Sequence, residues 1–136
     1  MFQRSVSVST SGLGLYEITP ALENCLAASG ITSGMCNVFI THTSASLCIQ
    51  ENADYTAKAD LETFIEKLVP YEKWFSHTAE GRDDMTAHIK AVLTEVSLNI
   101  PVSGGRLGLG IWQGVYVWEH RERPQRRNVI VTIWGD

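Results

Sequence analysis

The sequence predicts an α+β fold: a sandwich or partial barrel of mainly antiparallel strands covered by two or three helices. Three observations carry this expectation. Runs with a two-residue period stand at both ends, segments with helical spacing fill the middle, and short glycine-separated β runs crowd the last third. At 136 residues the chain has room for one sizeable core, and 1–136 is read as a single domain.

Phe2 to Ser9 alternates polar and apolar residues, with Val6 and Val8 on one side, as a half-buried strand should. Ser11, Gly12 and Gly14 make a turn, and Leu15 to Ile18 form a second short strand. Thr19 reads as an N-cap with Pro20 at the first helical position; Leu22, Cys25 and Leu26 continue at helical spacing to Gly30. Met35 to Thr41 and Ser46 to Gln50 read as strands. Asn52 or Asp54 caps a second helix, with Ala57, Leu61, Phe64, Ile65 and Leu68 on one face and Pro70 at its end. A third helix starts near Asp83, with Met85, Ile89, Val92, Leu93 and Val96 as its expected buried stripe. Short β segments follow at Leu98 to Val102, Leu107 to Leu109 and Trp112 to Glu119. Pro124 to Arg127 read as a polar turn, and Asn128 to Trp134 as a last β run rich in Val and Ile.

The formal net charge of −4 argues against a general nucleic-acid binder, because counterion release needs a dense cationic surface. Local basic residues still leave an anionic small molecule open. Cys25, Cys36 and Cys48 are odd in number, widely spaced and free of any CxxC pair, which fits reduced thiols. The first ten residues lack the apolar stretch of a signal peptide, and no segment approaches membrane-spanning length. A soluble, cytoplasmic protein is the expectation.

The chemistry concentrates in residues 77–90, HTAEGRDDMTAHIK, which hold two of the four histidines and three carboxylates. Asp84 and His88 are four apart on a helix and so lie one above the other, while His77 and Glu80 sit in the preceding loop, where Gly81 lets them fold back. Imidazole with carboxylate suits a divalent metal held by His77, Asp84 and His88. The bland alternative is a helix capped by Asp83 with a routinely bonded histidine, and for Asp83 alone that reading is preferred. A second cluster, HTSASL at 42–47, puts His42, Thr43, Ser44 and Ser46 at a strand end, where hydroxyls can wrap an anion. A serine/threonine-rich hairpin is the even alternative. In the third, 97–121, Arg106 and Arg121 are candidates for bidentate phosphate contacts, with Lys90 as a point charge. Trp112 and Gln113 either line a flat ring pocket or, for the tryptophan, join the core. Glu119 and His120 end a strand together, so only one of them can face a given pocket.

HTSASL, EGRDDMTAHIK (80–90) and the SL-I-P-V-GRL-LG-WQG pattern between Ser97 and Gly114, in this order, resemble the YjbQ family of secondary thiamine-phosphate synthases. The resemblance spans essentially the whole chain. It implies an α+β sandwich assembled as a homotrimer, with sites near subunit boundaries and metal ions among the histidines. The implied reaction joins a pyrimidine-methyl diphosphate to a thiazole phosphate and releases pyrophosphate. A divalent metal (Mg, Mn or Zn), with Arg106, Lys90 and the hydroxyls of HTSAS, would neutralise the leaving group. His42 would donate a proton or ligate the metal. Gln50, Tyr55, Glu95 and Ile111 depart from the family pattern, and Ile111 replaces a hydroxyl before WQ. Two competing readings are metal-dependent hydrolysis of a small phosphorylated metabolite with Glu80 or His42 as base, and a non-catalytic trimer that stores or senses a ligand.

Overall fold

The two-residue period of the chain ends is realised as a strand pair. In the computed structural model, which describes residues 1–136, β1 (Phe2–Thr10) runs antiparallel to β8 (Gln125–Gly135). Between them come β2 (Gly14–Glu17), α1 (Thr19–Ser29), β3 (Gly34–Ile40), β4 (Ala45–Glu51), α2 (Tyr55–Leu68), α3 (Asp84–Leu93), β5 (Ser97–Ser103), β6 (Arg106–Leu107) and β7 (Gln113–Glu119). The strands form a five-stranded sheet, β1-β8-β3-β5-β6, and a three-stranded sheet, β2-β7-β4, antiparallel throughout. This is the expected α+β sandwich. No helix is long and apolar enough to cross a membrane.

Alternation along β7 sorts the layers. Val115 and Val117 face the main core, where they meet Val129, Val131 and Ile133 of β8, Cys36 and Val38 of β3, and Leu22 and Leu26 of α1. Tyr116 and Trp118 point the other way and pack with Leu15 and with Ile65 of α2. Full burial of each such aliphatic side chain stabilises the fold by about 1.5–3 kcal/mol. Cys25 and Cys36 lie in the main core and Cys48 is half-buried; all three are free thiols. Burial pushes the Cys36 and Cys48 thiols up to about 11. At the far end of the large sheet Gly34 and Gly135 cross so closely that a Cβ on either would lie 1.9–2.0 Å from a backbone oxygen.

Several expectations are corrected. Thr19 is the first residue of α1 rather than its cap: its hydroxyl donates to Glu17 (2.9 Å) and accepts the Val115 N–H (2.8 Å), tying the helix to β7. Three of the four residues of the predicted polar turn at Pro124–Arg127 are strand, because β8 begins at Gln125, and Arg127 is buried. On α2 only Ile65 is fully buried, while Phe64 and Leu68 face out.

The largest correction concerns α3. Its buried arc holds Asp84, Thr86, Ala87, Lys90 and Ala91, whereas Val92 and Leu93 are 83% and 57% exposed and Val96 beyond the helix is also exposed. Small Ala87 and Ala91 let the helix lie close on β4. The polar residues flanking them bring their own partners: Lys90 Nζ donates to Glu66 Oε2 at 2.6 Å, and Asp84 binds Arg121. A buried charge with a partner is tolerable; without one it is not. Met85 and Ile89 of the expected stripe are half-buried, so hydrophobic periodicity alone finds the edge of the buried face and misses its centre.

The two sheets are bolted together by a buried ion pair. Glu119 continues the inward row of β7 and meets Arg127, which continues the inward row of β8; both are nearly inaccessible. Arg127 donates from Nε to Glu119 Oε1 at 2.7 Å and from Nη2 to Oε2. The Thr10 hydroxyl (2.7 Å) and the backbone N–H groups of His120 and Arg121 (3.1 Å each) complete the carboxylate. Arg127 Nη2 also holds Ser44 by its carbonyl (3.1 Å) and hydroxyl (3.0 Å). His120 turns to the opposite face, where its Nε2 lies 2.9 Å from Ser46 Oγ. Burial, aided by the charges of Lys90 and Arg127, pushes its pKa down to about 3.

Two outcomes follow. Arg127→Met leaves the Glu119 carboxyl group in a closed site without its cation, and urea denaturation should show a loss of about 3–5 kcal/mol. Between pH 6.5 and 3 the unfolded chain protonates His120 while the folded chain does not, so stability is complete above 6.5 and falls as pH falls. The loss contributed by this residue is about 1.4 kcal/mol per pH unit. In His120→Gln the urea midpoint should change less between pH 6.5 and 5.

Candidate metal centre

Asp84 opens α3 and His88 follows one turn later, which stacks their side chains. His77 reaches them from the irregular segment after α2. That segment is anchored by buried Phe75, packed edge-on by Tyr71 and Trp74, and it turns back at Gly81 with φ +108°. The result is convergence. His77 Nε2 lies 2.6 Å and His88 Nε2 3.0 Å from the same atom, Asp84 Oδ2, and one ligand atom from each residue falls within 4.8 Å of the others.

The protonation pattern follows from the partners. His88 Nδ1 lies 2.8 Å from the Thr43 carbonyl, which only accepts, so Nδ1 carries the hydrogen. In the neutral ring Nε2 is then a lone pair aimed at a carboxylate oxygen. That repulsive arrangement is relieved by a second proton or by a cation between them. A backbone carbonyl on the remote nitrogen is the usual way to orient a metal-binding imidazole. The other Asp84 oxygen, Oδ1, accepts from Arg121 Nη1 at 2.7 Å. Burial acts to raise the Asp84 carboxyl, but the His77 hydrogen bond and the charges of His88 and Arg121 outweigh it and hold the group below the usual carboxylate range. Two imidazole nitrogens and an ionised carboxylate at one point fit a divalent ion of the Zn, Mn or Fe type. The imidazoles are 44% (His77) and 29% (His88) exposed, so the group opens to solvent.

The remaining candidates are distributed otherwise. Arg121 spreads its guanidinium over Asp83 Oδ2 (3.0 Å), Asp84 Oδ1 and the Glu80 carbonyl (2.8 Å), so it braces the acids instead of meeting phosphate. Asp83 accordingly is no side-chain cap: it takes Arg121 and the Glu122 N–H. Glu80 is exposed with its carbonyl on Arg121, and Thr43 is exposed with its carbonyl on His88. Ser44 and Ser46 are buried in the Arg127 and His120 contacts. His42 Nε2 accepts the Asn128 N–H at 2.8 Å and its Nδ1 faces Arg127 Nη1 at 3.4 Å, so neither ring nitrogen is open to a metal; burial and Arg127 hold the ring below its ordinary pKa. Lys90 pairs with Glu66 on another face of α3. Arg106 lines a separate groove with Glu23 of α1. Trp112 is exposed, neither core nor wall, and Gln113 binds the Gly110 N–H. They stand at the opposite end of β7 from His120, a span of about 20 Å.

Glu119, Arg127 and the Thr43 carbonyl escape sequence reading as functional supports. A signal is present for the first two: at period two Glu119 extends the apolar row Val115, Val117, and Arg127 extends Val129, Val131, Ile133. A backbone carbonyl leaves no such trace.

Comparison with known proteins adds the lineage. The family model described as UPF0047 protein YjbQ-like matches residues 4–136. The UPF0047 protein sll1880 of Synechocystis is 47% identical over 135 residues, covering 98% of this chain and 92% of that one. The UPF0047 protein YjbQ of Salmonella typhimurium is 39% identical, covering 99% of each. Among solved structures, hypothetical protein APE1520 from Aeropyrum pernix superimposes with TM-score 0.91 at 29% identity and 100% coverage of both chains. A YjbQ/UPF0047 family protein from Clostridium acetobutylicum gives 0.89 at 36%, covering 96% of this chain and 99% of that one. With its sequence matched end to end and its two-sheet architecture shared, this chain belongs to the YjbQ-like UPF0047 family.

Proposed function

We propose that this chain is a divalent-metal-dependent enzyme of small phosphorylated metabolites, and that it joins a pyrimidine-methyl diphosphate to a thiazole phosphate. The observation that carries the reading is the meeting of His77 and His88 on one oxygen of an ionised Asp84. In the reaction the thiazole nitrogen forms a bond to the pyrimidine methylene as the C–O bond to diphosphate breaks, and pyrophosphate leaves. Little covalent work falls to the protein; positioning and charge neutralisation suffice. A divalent ion held by His77, Asp84 and His88 would supply that neutralisation. Arg121 keeps Asp84 ionised and aimed, and the Thr43 carbonyl fixes the His88 ring. The exposed Thr43 hydroxyl, on the residue whose carbonyl holds His88, is a free donor for a phosphate oxygen. His42, whose Nε2 is committed to the Asn128 N–H, braces the loop and has no part in proton transfer.

Arg106, Trp112 and Gln113 enter this reading through assembly. We propose a homotrimer in which the far end of β7 in one copy stands by the metal centre of the next. Supporting this is the apolar surface that a lone chain leaves open: Ile111 (84% exposed), Val92, Trp112 and Leu93. Metal-dependent hydrolysis is the second reading, with Glu80 as base; its carboxylate is exposed on the residue whose carbonyl accepts from Arg121.

Metal analysis of the purified protein should give one divalent ion per chain, lost in His88→Ala with little change in melting temperature. In Arg121→Met the affinity should fall about 10–100-fold. Supplied with both precursors and Mg, Mn or Zn, the protein should release pyrophosphate and form thiamine phosphate, and His88→Ala should not. Absence of product with every metal would sink the synthase reading, whereas turnover of a single phosphorylated substrate would move the assignment to hydrolysis.

A further inference from the structure

The other flank of α3 carries a second constellation. At about 100° per residue, Asp83, Thr86 and Lys90 project about 150° away from Asp84 and His88. Together with Glu66, Arg82 and His120 they line a separate cavity of about 170 Å³. Its floor is closed to solvent: His120 is 0% and Lys90 2% exposed.

Three groups on this wall have donors left over. The first is His120, whose Nδ1 is buried without any partner. Ser46 settles its tautomer. The Ser46 hydroxyl is itself fully buried and meets only His120 Nε2, so a hydrogen on Nε2 would leave the hydroxyl hydrogen with nowhere to go. Ser46 therefore donates to Nε2, and the ring hydrogen sits on Nδ1. The second is Lys90, which uses one of its three N–H groups on Glu66. The third is Arg82, whose guanidinium lies over the Tyr71 ring, 4.1 Å from the centroid, with no acid of its own. The acids present are engaged or peripheral: Glu66 by Lys90, Asp83 by Arg121, and Glu122 exposed at the rim. Buried donors without acceptors are costly to leave unmade, and native interiors seldom keep them.

We propose that this cavity is a second ligand site, independent of the metal centre, that takes one oxyanion group, a phosphate or a carboxylate, with His120 and Lys90 donating from its floor and Arg82 from its mouth. The volume admits one such group and little more. The site shares α3 with the metal centre but none of its three ligands.

The test uses ¹⁵N-labelled whole protein in the presence of chelator, titrated separately with inorganic phosphate and with acetate. His120 ring signals are assigned by their loss in His120→Gln. The expected result is a saturable shift of the His120 Nδ1 signal at millimolar anion, accompanied by a rise in melting temperature. Whichever anion saturates at lower concentration identifies the group the site prefers. Lys90→Met and Arg82→Gln should each weaken binding at least tenfold, and His88→Ala should leave it unchanged. Should Lys90→Met fail to fold, Arg82→Gln carries the test, because that side chain is exposed. No saturable shift with either anion would overturn the proposal. So would binding that survives Arg82→Gln at full strength, or binding lost in His88→Ala. Because chelator is present throughout, the outcome is independent of whether the histidine centre holds a metal or turns over a substrate.

Discussion

The Glu119–Arg127 ion pair is the constraint on which the rest of this molecule depends. It is the one place where the small sheet, the large sheet, the first strand and the β3–β4 loop meet through polar contacts. Its influence reaches the His77–Asp84–His88 group by two routes. Through Ser44 it fixes the loop whose Thr43 carbonyl orients His88. Through the Arg121 backbone it fixes the residue whose guanidinium holds Asp84. Both arms of the centre are thus anchored in the interior, while the imidazoles stay accessible. Buried ion pairs add little net stability compared with a well-packed apolar isostere. What this one provides is register between two layers that otherwise touch only through interchangeable aliphatic side chains.

Much of the architecture is legible in the sequence because local pattern and tertiary role agree. β1, β3 and β8 alternate as they do because one face of each meets the core, and Gly30 ends α1 in the left-handed conformation that helix ends favour. The convergence of His77, Asp84 and His88 is legible too, since four-residue spacing on a helix constrains two of the three and Gly81 frees the third. Legibility fails where burial and apolarity part company. On α3 the buried arc is built from alanines, a threonine and paired charges; Met85 and Ile89 are only half-buried and Val92 and Leu93 face outward, so a rule that equates apolar with buried misplaces the buried side. Arg127 reads as part of a polar turn for the same reason. The partners that make its burial tolerable, Glu119 and Ser44, lie at distant positions that no local window contains. Lys90 and Arg121 likewise look like free cations in the sequence, whereas in the fold Glu66, Asp83 and Asp84 occupy them.

α3 emerges as the organising helix of the chemistry. One flank offers His88 and Asp84, the other Lys90 and Thr86, and the alanines between them press against β4. Short side chains in the middle keep the helix near the sheet, so the longer polar groups on either side reach past it towards His77 on one side and His120 on the other. A helix used in this way has little apolar area to bury. Its placement therefore rests on hydrogen bonds and ion pairs, which makes its position more sensitive to charge than that of α1, which buries Leu22, Cys25 and Leu26.

The state of the thiols bears on which donor atoms the fold leaves open. With burial holding Cys36 and Cys48 near 11, these two thiols stay protonated at neutral pH and are poor nucleophiles and poor soft ligands. A thiophilic ion such as copper(I) finds no ready anchor in either of them, and Cys25 is enclosed in the core. The donors that the open flank of α3 can offer a cation are therefore nitrogen and oxygen alone.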